Sequence, residues 1–166
     1  MIRVVVDDLA AVRVDAVVRP ASTTLEPLPR PHERLEQLAA PSFGALDLKD
    51  ELAVGSAVVT DAANLGAGLV IHAVIGRKGD ALEEKWVRRA LESTLHRAAA
   101  WQLGSLAIPP LGVGGDEFSV ETAARIMSSE IQSYDFSAGF PNEIVLVVGS
   151  DDERELFERA TAAVSL

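Results

Sequence analysis

The sequence predicts an α/β fold, in which a mixed, mostly parallel sheet carries helices on both faces. Short apolar runs such as Ile144–Val148 recur along the 166 residues, and continuously apolar strands are typical of sheets that are covered on both sides. Amphipathic helical patterns alternate with these runs. The chain has no internal repeat and no low-complexity tail, so we expect residues 1–166 to form a single domain.

Short segments rich in β-branched and apolar residues are predicted to be the strands. They are Ile2–Val6, Asp15–Arg19, Gly55–Thr60, Leu69–Val74, Leu106–Leu111 and Ile144–Gly149. The stretch from Pro20 to Pro41 breaks the alternation because proline fixes φ and has no N–H to donate. We expect a stiff, extended loop at 25–31 and then a short helix over His32–Ala39.

Three longer helices follow from apolar stripes and end signals. The first is predicted over Leu82–Leu103, with Gly104 as its C-terminal stop. The second is predicted over Ser119–Ser133, with its first serine as the N-cap. The last spans Asp151–Val164 and begins with a serine three residues before a glutamate, which is the capping-box spacing.

Composition excludes several function classes. Fifteen basic residues stand against twenty-five acidic ones, and the net charge of −10 disfavours binding to nucleic acid or to anionic lipid. The absence of cysteine excludes disulfides, thiol nucleophiles and cysteine-ligated metal. The N-terminus does not resemble a signal peptide, and no apolar run is long enough to span a bilayer. We therefore expect a cytoplasmic protein with no membrane partner.

The segment Leu106–Ser119 carries the clearest functional signal, because a glycine-rich turn lies between a predicted strand and a predicted helix. Glycines allow backbone N–H groups to approach a ligand, and a helix N-terminus favours an anion. The alternative is a plain tight turn. Asp116 and Glu117 favour that alternative, since carboxylates oppose a bound anion.

This segment resembles the second phosphate loop of the macro domain family. Further segments resemble the family in the same order and at similar spacing: Asp7–Leu9, Asp15–Val18, Gly55–Leu65 and Val70–Val74. The resemblance implies a three-layer αβα fold that binds ADP-ribose and in some members hydrolyses its derivatives.

The departures from the family bear directly on function. Where the family has Asn-Ala-Ala-Asn, whose amides orient the distal ribose and help place a water, this chain has Arg19–Ser22. The glycine-rich first phosphate loop is replaced by Pro27–Pro31, and the aromatic residue at the end of the last strand by Gly149–Ser150. The resemblance therefore implies a retained fold with an eroded site.

The ligand-binding residues that the resemblance implies come from three parts of the chain. They are Asp8, which would accept from the adenine amino group, Arg19 and Ser22 in place of the asparagines, and Gly112, Val113, Gly114 and Gly115 in the phosphate loop. We expect Arg19 to pair with a neighbouring acid such as Asp8 or Asp61, and the alternative is a contact with a phosphate. No catalytic residue, metal site or cofactor is assigned, because the three histidines lack metal-ligand spacing.

The function predicted from the sequence is weak binding of ADP-ribose or a related nucleotide-type ligand. One alternative is a macro-like fold that has lost its ligand and acts through protein contacts, including contacts with copies of itself. The other is an ADP-ribosyl hydrolase. The enzyme is the least favoured, because no water activator or orienting amide stands at the family's positions. The oligomeric state stays open.

Overall fold

Six strands within the described residues form one sheet, and the apolar runs of its four interior strands are buried on both faces. They are β1 (Ile2–Val6), β2 (Ala16–Ser22), β3 (Ala57–Asp61), β4 (Leu69–Gly76), β5 (Ser105–Ile108) and β6 (Glu143–Val148). Their order is β1-β6-β5-β2-β4-β3, and only β3 runs antiparallel to its neighbour. The computed structural model describes residues 1–29, 31–43, 49–62 and 64–164, without the side chains of 40–43 and 163–164.

The helices cover both faces of the sheet, as the sequence predicts. They are α1 (Glu33–Phe43), α2 (Glu84–Ala100), α3 (Val120–Ser133) and α4 (Asp151–Val164). Buried side chains of α2, α3 and α4 pack on one face. Leu35 of α1 packs on the other face with side chains from segments 9–14 and 64–67. The mixed, mostly parallel sheet and its three-layer arrangement are therefore confirmed.

The bounds of α2 differ from the predicted Leu82–Leu103 at both ends. At the start, the Glu117 carboxylate accepts a 3.0 Å hydrogen bond from the Leu82 N–H, which lies outside the helix. At the end, Gln102 has a left-handed φ of 54°, two residues before the predicted stop at Gly104. Gly104 instead donates its N–H to the Asp15 carboxylate at 2.7 Å. The predicted glycine stop is therefore wrong.

Strand β2 continues three residues beyond the predicted end at Arg19, through Pro20 to Ser22. A proline is tolerated there because β5 pairs with β2 only at Ala16 and Val17, so Pro20 has a paired neighbour on one side alone. In contrast, β5 ends at Ile108 rather than at the predicted Leu111, and the two prolines that follow cannot donate to a ladder. Helix α1 runs to Phe43, beyond the predicted end at Ala39.

The two predicted serine caps are present. Ser119 accepts a hydrogen bond from the Thr122 N–H at 3.1 Å, and Ser150 accepts one from the Glu153 N–H at 3.3 Å. The Glu153 carboxylate reaches back to the N–H of Gly149 at 2.7 Å. The carboxyl edge of the sheet is thus joined to well-defined starts of α3 and α4.

We predict that Leu91→Ala lowers the free energy of unfolding by about 2–5 kcal/mol, because Leu91 is fully buried in the core under α2 and its truncation leaves a cavity. The measurement is urea denaturation followed by circular dichroism. Glu92→Ala, at an exposed position one residue further on, is the control and should change stability by less than about 0.5 kcal/mol. Equal effects of the two substitutions would contradict this packing.

Candidate functional site

A cleft lies at the carboxyl edge of the sheet, between the start of α1 and the loop that follows β5. Its volume is about 310 Å³, at the lower end of the range of about 300–1,000 Å³ that is usual for ligand pockets. The lining residues are Asp7, Leu9, Pro31, His32, Pro110, Val113, Val147, Val148, Gly149 and Glu153. In open α/β sheets this edge is where ligands bind, and the cleft is therefore the candidate site.

Helix N-termini and carboxylates give the cleft opposing charges. Helix α1 begins beside Pro31 and His32, and α4 begins beside Gly149, so partial positive charge is directed to this edge. Asp7 and Glu153 contribute negative charge to the same lining. Among the described residues that line the cleft, none is lysine or arginine. An anion in the cleft would therefore find no lysine or arginine partner among these residues.

Arg19 lies in a buried polar network instead of facing open solvent, with 2% of its surface exposed. Its Nε and Nη2 atoms donate to the two carboxylate oxygens of Glu36 on α1, at 2.5 and 2.6 Å. Its Nη1 lies 3.1 Å from Nδ1 of His72 on β4. The sequence predicted that Arg19 pairs with a neighbouring acid, such as Asp8 or Asp61. The pairing with an acid is confirmed, and the acid in these contacts is Glu36, which α1 places beside the guanidinium.

The network determines which imidazole nitrogen of His72 carries the proton. Arginine can only donate, so Nδ1 accepts from Arg19, and Nε2–H donates to the Thr60 hydroxyl at 2.8 Å. Thr60 can then donate to the Asp61 carbonyl oxygen at 3.4 Å. His72 is fully buried. His72 is therefore a core histidine with a partner for each ring nitrogen.

Ser22 is also turned inward. Its hydroxyl accepts hydrogen bonds from the N–H groups of Thr24 and Glu26, at 3.2 and 3.1 Å, and it is fully buried. Its own N–H donates to the Glu26 carbonyl oxygen at 2.7 Å. Ser22 therefore closes the turn that follows β2.

The segment after that turn folds back along β2. The Leu28 N–H donates to the Pro20 carbonyl oxygen at 3.4 Å, and Leu28 packs against the main core. A Cβ atom placed on Gly76 would come within 2.6 Å of Leu82 and 3.8 Å of Leu28. These leucines thus cover the carboxyl end of β4. Arg30, which the sequence places in the same loop, lies outside the described residues.

Asp8 is engaged by its own segment and by α1. One carboxylate oxygen accepts from the Ala10 N–H at 2.9 Å, and the other lies 3.2 Å from the guanidinium of Arg34. Asp8 does not itself line the cleft, although its neighbours Asp7 and Leu9 do. The resemblance placed Asp8 against an adenine amino group, and that role stays a prediction.

The glycine-rich loop is a closed turn with some backbone donors left over. The N–H groups of Glu117 and Phe118 donate to the carbonyl oxygens of Gly114 and Gly112, at 3.1 and 3.0 Å. Within the described chain, the amides of Val113 and Gly115 donate no hydrogen bond. A Cβ on Gly115, whose φ is 58°, would meet no atom within 4 Å, whereas one on Gly112 would strike Phe118 at 2.6 Å.

The acids of this loop differ in their availability. The Glu117 carboxylate is held by the Leu82 N–H, so that one oxygen is occupied within the protein. Asp116 is exposed.

Of the four loop residues predicted from the sequence, Val113 lines the cleft, whereas Gly112, Gly114 and Gly115 lie beside it. Sequence reasoning missed Glu36 and the role of His32 in the wall, since neither belongs to a motif.

Larger cavities lie elsewhere. One of about 790 Å³ opens at the amino ends of β1 and β6, lined in part by Met1, Phe136 and Thr161. It is larger than the cleft but lies at the edge opposite the glycine-rich loop.

Within the described residues no cluster of acidic or histidine side chains is arranged to hold a metal ion, and none of the helices there has the length and apolarity of a membrane span.

Comparison with known proteins places the chain in a family. A family model described as Macro domain matches residues 37–127. An uncharacterized protein of Sulfolobus acidocaldarius is 31% identical over 92% of this chain and 85% of its own length. The O-acetyl-ADP-ribose deacetylase of Klebsiella pneumoniae is 29% identical over 96% of this chain and 95% of its own. The chain belongs to the macro domain family.

Solved structures agree with this assignment at the level of the fold. The macrodomain of Oceanobacillus iheyensis, determined with ADP, superposes with a TM-score of 0.78 over 97% of this chain and 90% of its own, at 17% identity. The Trypanosoma brucei macrodomain in complex with ADP gives a TM-score of 0.78 at 19% identity, over 96% of this chain and 68% of its own. The three-layer fold expected from the resemblance is confirmed.

We predict that the network makes stability depend on pH. Burial, together with the nearby Arg19 guanidinium, lowers the pKa of His72 from its ordinary value of 6.5 to about 3. Between these values the unfolded chain binds a proton that the folded protein does not, so the free energy of unfolding falls as the pH falls. The contribution of His72 should fall by about 2 kcal/mol between about pH 8 and about pH 5.

Urea denaturation at several pH values measures this dependence. His72→Gln should lower stability at neutral pH but flatten the slope below about pH 6.5. Some slope should remain from His32, because burial lowers its pKa as well. An unchanged slope in the variant would show that the imidazole does not carry the effect.

Proposed function

We propose that this chain is a macro-domain binding module that takes ADP-ribose or a related nucleotide-type ligand weakly and does not hydrolyse it. The observation that carries the proposal is the internal bonding of Arg19. Its guanidinium binds Glu36 and His72 at the position where the family resemblance puts the first asparagine. A ligand would have to break buried, charge-assisted hydrogen bonds to use it.

The distal-ribose half of the site is the part most altered. Ser22, at the second asparagine position, holds its own turn through the Thr24 and Glu26 amides. Leu28 packs over the end of β4 in place of a glycine-rich loop. This arrangement supports a site in which a distal ribose finds no amide partner and little room.

The adenosine and phosphate half of the edge remains open. The cleft, the amides of Val113 and Gly115 and the start of α1 lie at the same edge of the sheet. They support a ligand whose phosphate is held by backbone N–H groups of residues 112–115 and whose base lies against Leu9 and Val148. The carboxylates of Asp7 and Glu153 oppose such a ligand and favour weak binding.

The relatives named O-acetyl-ADP-ribose deacetylase make hydrolysis the alternative to test. In this chain the side chains at the two asparagine positions are committed to Glu36, His72 and the turn after β2. Neither is an amide, and neither is arranged to hold a water against a ligand. We therefore expect no deacetylation of O-acetyl-ADP-ribose above the rate in buffer.

We predict that ADP-ribose and ADP bind with similar, roughly millimolar dissociation constants. Relative to the family's site, this chain lacks two amides, one phosphate loop and one aromatic stack. At about 1 kcal/mol for each of these four losses, binding is weakened roughly a thousandfold, from micromolar to millimolar. Titration of each nucleotide into ¹⁵N-labelled protein, followed by NMR, measures both affinities. A low-micromolar dissociation constant for ADP-ribose, or a large preference for it over ADP, would contradict the proposal that the distal-ribose half of the site is closed. No binding of either would favour the fold that acts only through protein contacts.

A matched pair of glycine variants tests the position of the phosphate. Gly115 and Gly139 both have positive φ and open space around the Cβ position, and asparagine tolerates this conformation better than most residues. Gly115→Asn would place a side chain beside the loop amides and should weaken ADP binding about threefold or more. Gly139→Asn, in the loop before β6 at the opposite edge, should leave it unchanged. Equal effects of the two substitutions would show that the phosphate does not lie at residues 112–115.

A further inference from the structure

His32 is the one titratable base among the described residues that line the cleft. It lies at the start of α1, where its carbonyl oxygen accepts the Glu36 N–H at 2.9 Å, and it forms one wall together with Pro31. Val113, from the glycine-rich loop, lies in the same lining. A ligand phosphate at the Val113 amide would therefore lie in the cleft that His32 lines.

Charges of both signs surround the imidazole. Glu36 on α1 and Asp8 after β1 favour its protonated form, and Arg19 on β2 disfavours it. Asp7 and Glu153 complete the acidic part of the cleft. Burial has the largest effect and lowers the pKa of His32 from its ordinary value of 6.5, which favours the neutral imidazole. A bound anion would add negative charge beside it and favour uptake of a proton.

We propose that His32 is an anion-recognition residue of the cleft, which takes a proton from solvent when a phosphate-bearing ligand binds and then pairs with the phosphate as an imidazolium. The proposal rests on the proposed function, because it needs the ligand phosphate to lie at residues 112–115. The protonated imidazole would be a cationic side chain in the cleft, whose described lining otherwise offers backbone N–H groups and carboxylates. Binding of the anion and of the proton are then linked, so each strengthens the other.

The test is the pH dependence of ADP-ribose affinity, measured by NMR titration from about pH 8 down to about pH 5.5. ADP-ribose is suitable because its diphosphate keeps its charge over this range, and adenosine serves as the uncharged probe. The affinity for ADP-ribose should rise about threefold to tenfold as the pH falls, as one added charge-assisted hydrogen bond allows. The affinity for adenosine should not change.

Two variants identify the group responsible. His32→Gln should remove most of the rise. His96→Gln, at an exposed position on α2 where the histidine lies 3.5 Å from Glu92, is the matched control and should leave the rise intact. Arg30→Gln checks that the neighbouring arginine is not the cation, and it too should leave the rise intact. The imidazole signals of His32 should also move to a higher apparent pKa when ADP-ribose is present.

The outcomes separate the two proposals. If ADP-ribose binds with an affinity that does not change with pH, or if His32→Gln retains the full rise, the role of His32 is overturned and the proposed function stands. Loss of the rise in Arg30→Gln also overturns it. If neither ADP-ribose nor adenosine binds at any pH, the proposed function fails, and the role of His32 fails with it.

Discussion

The ion pair between Arg19 and Glu36 is the interaction on which the carboxyl edge of this sheet depends. It joins strand β2, in the interior of the sheet, to helix α1, which covers one face. The Arg19 side chain is 3% exposed and that of Glu36 is 20% exposed, so both charges are largely removed from water. Burial of this kind is tolerated only when the geometry is good and the remaining donors are satisfied. The two contacts to Glu36 and the contact to His72 give each of the three guanidinium nitrogens a partner.

This constraint accounts for the asymmetry of the edge. On the side of β2 and β4, polar groups are paired with one another and Leu28 and Leu82 lie over the strand ends. On the side of β1 and β6, a cleft of about 310 Å³ remains, with Val113 at its wall. One half of the carboxyl edge is thus filled by internal contacts, and the other half is open. That division is the basis for proposing weak nucleotide binding without hydrolysis.

Most of the fold was predictable because it depends on periodicity, whereas the site depends on pairings across elements. The apolar runs and the serine caps predicted the strands and the starts of α3 and α4, since these signals are local. Local signals misplaced the end of α2, because Gln102 adopted the conformation that glycine favours. They could not identify Glu36 as the partner of Arg19, because 17 residues and a proline-rich loop separate the two.

The glycine-rich loop shows the same limit. The sequence placed two acids beside it and counted both against a bound anion, whereas Glu117 turns to the backbone of Leu82, 35 residues earlier in the chain. The departures at positions 19–22 were visible from the family resemblance alone. Their consequence, that Arg19 and Ser22 face inward, required the contacts of α1 and of the turn after β2.

The most direct test of this account is a double-mutant cycle on the free energy of unfolding, with Arg19→Met, Glu36→Met and the two combined. Removal of one partner leaves the other charge unpaired in a largely buried position. In fully buried pairs this lowers the free energy of unfolding by about 3–5 kcal/mol, and the loss should be smaller here because Glu36 is partly exposed. The double variant should therefore be more stable than the sum of the single effects, with a coupling of about 2 kcal/mol. A coupling near zero would contradict the account, since Arg19 would then be available to a ligand.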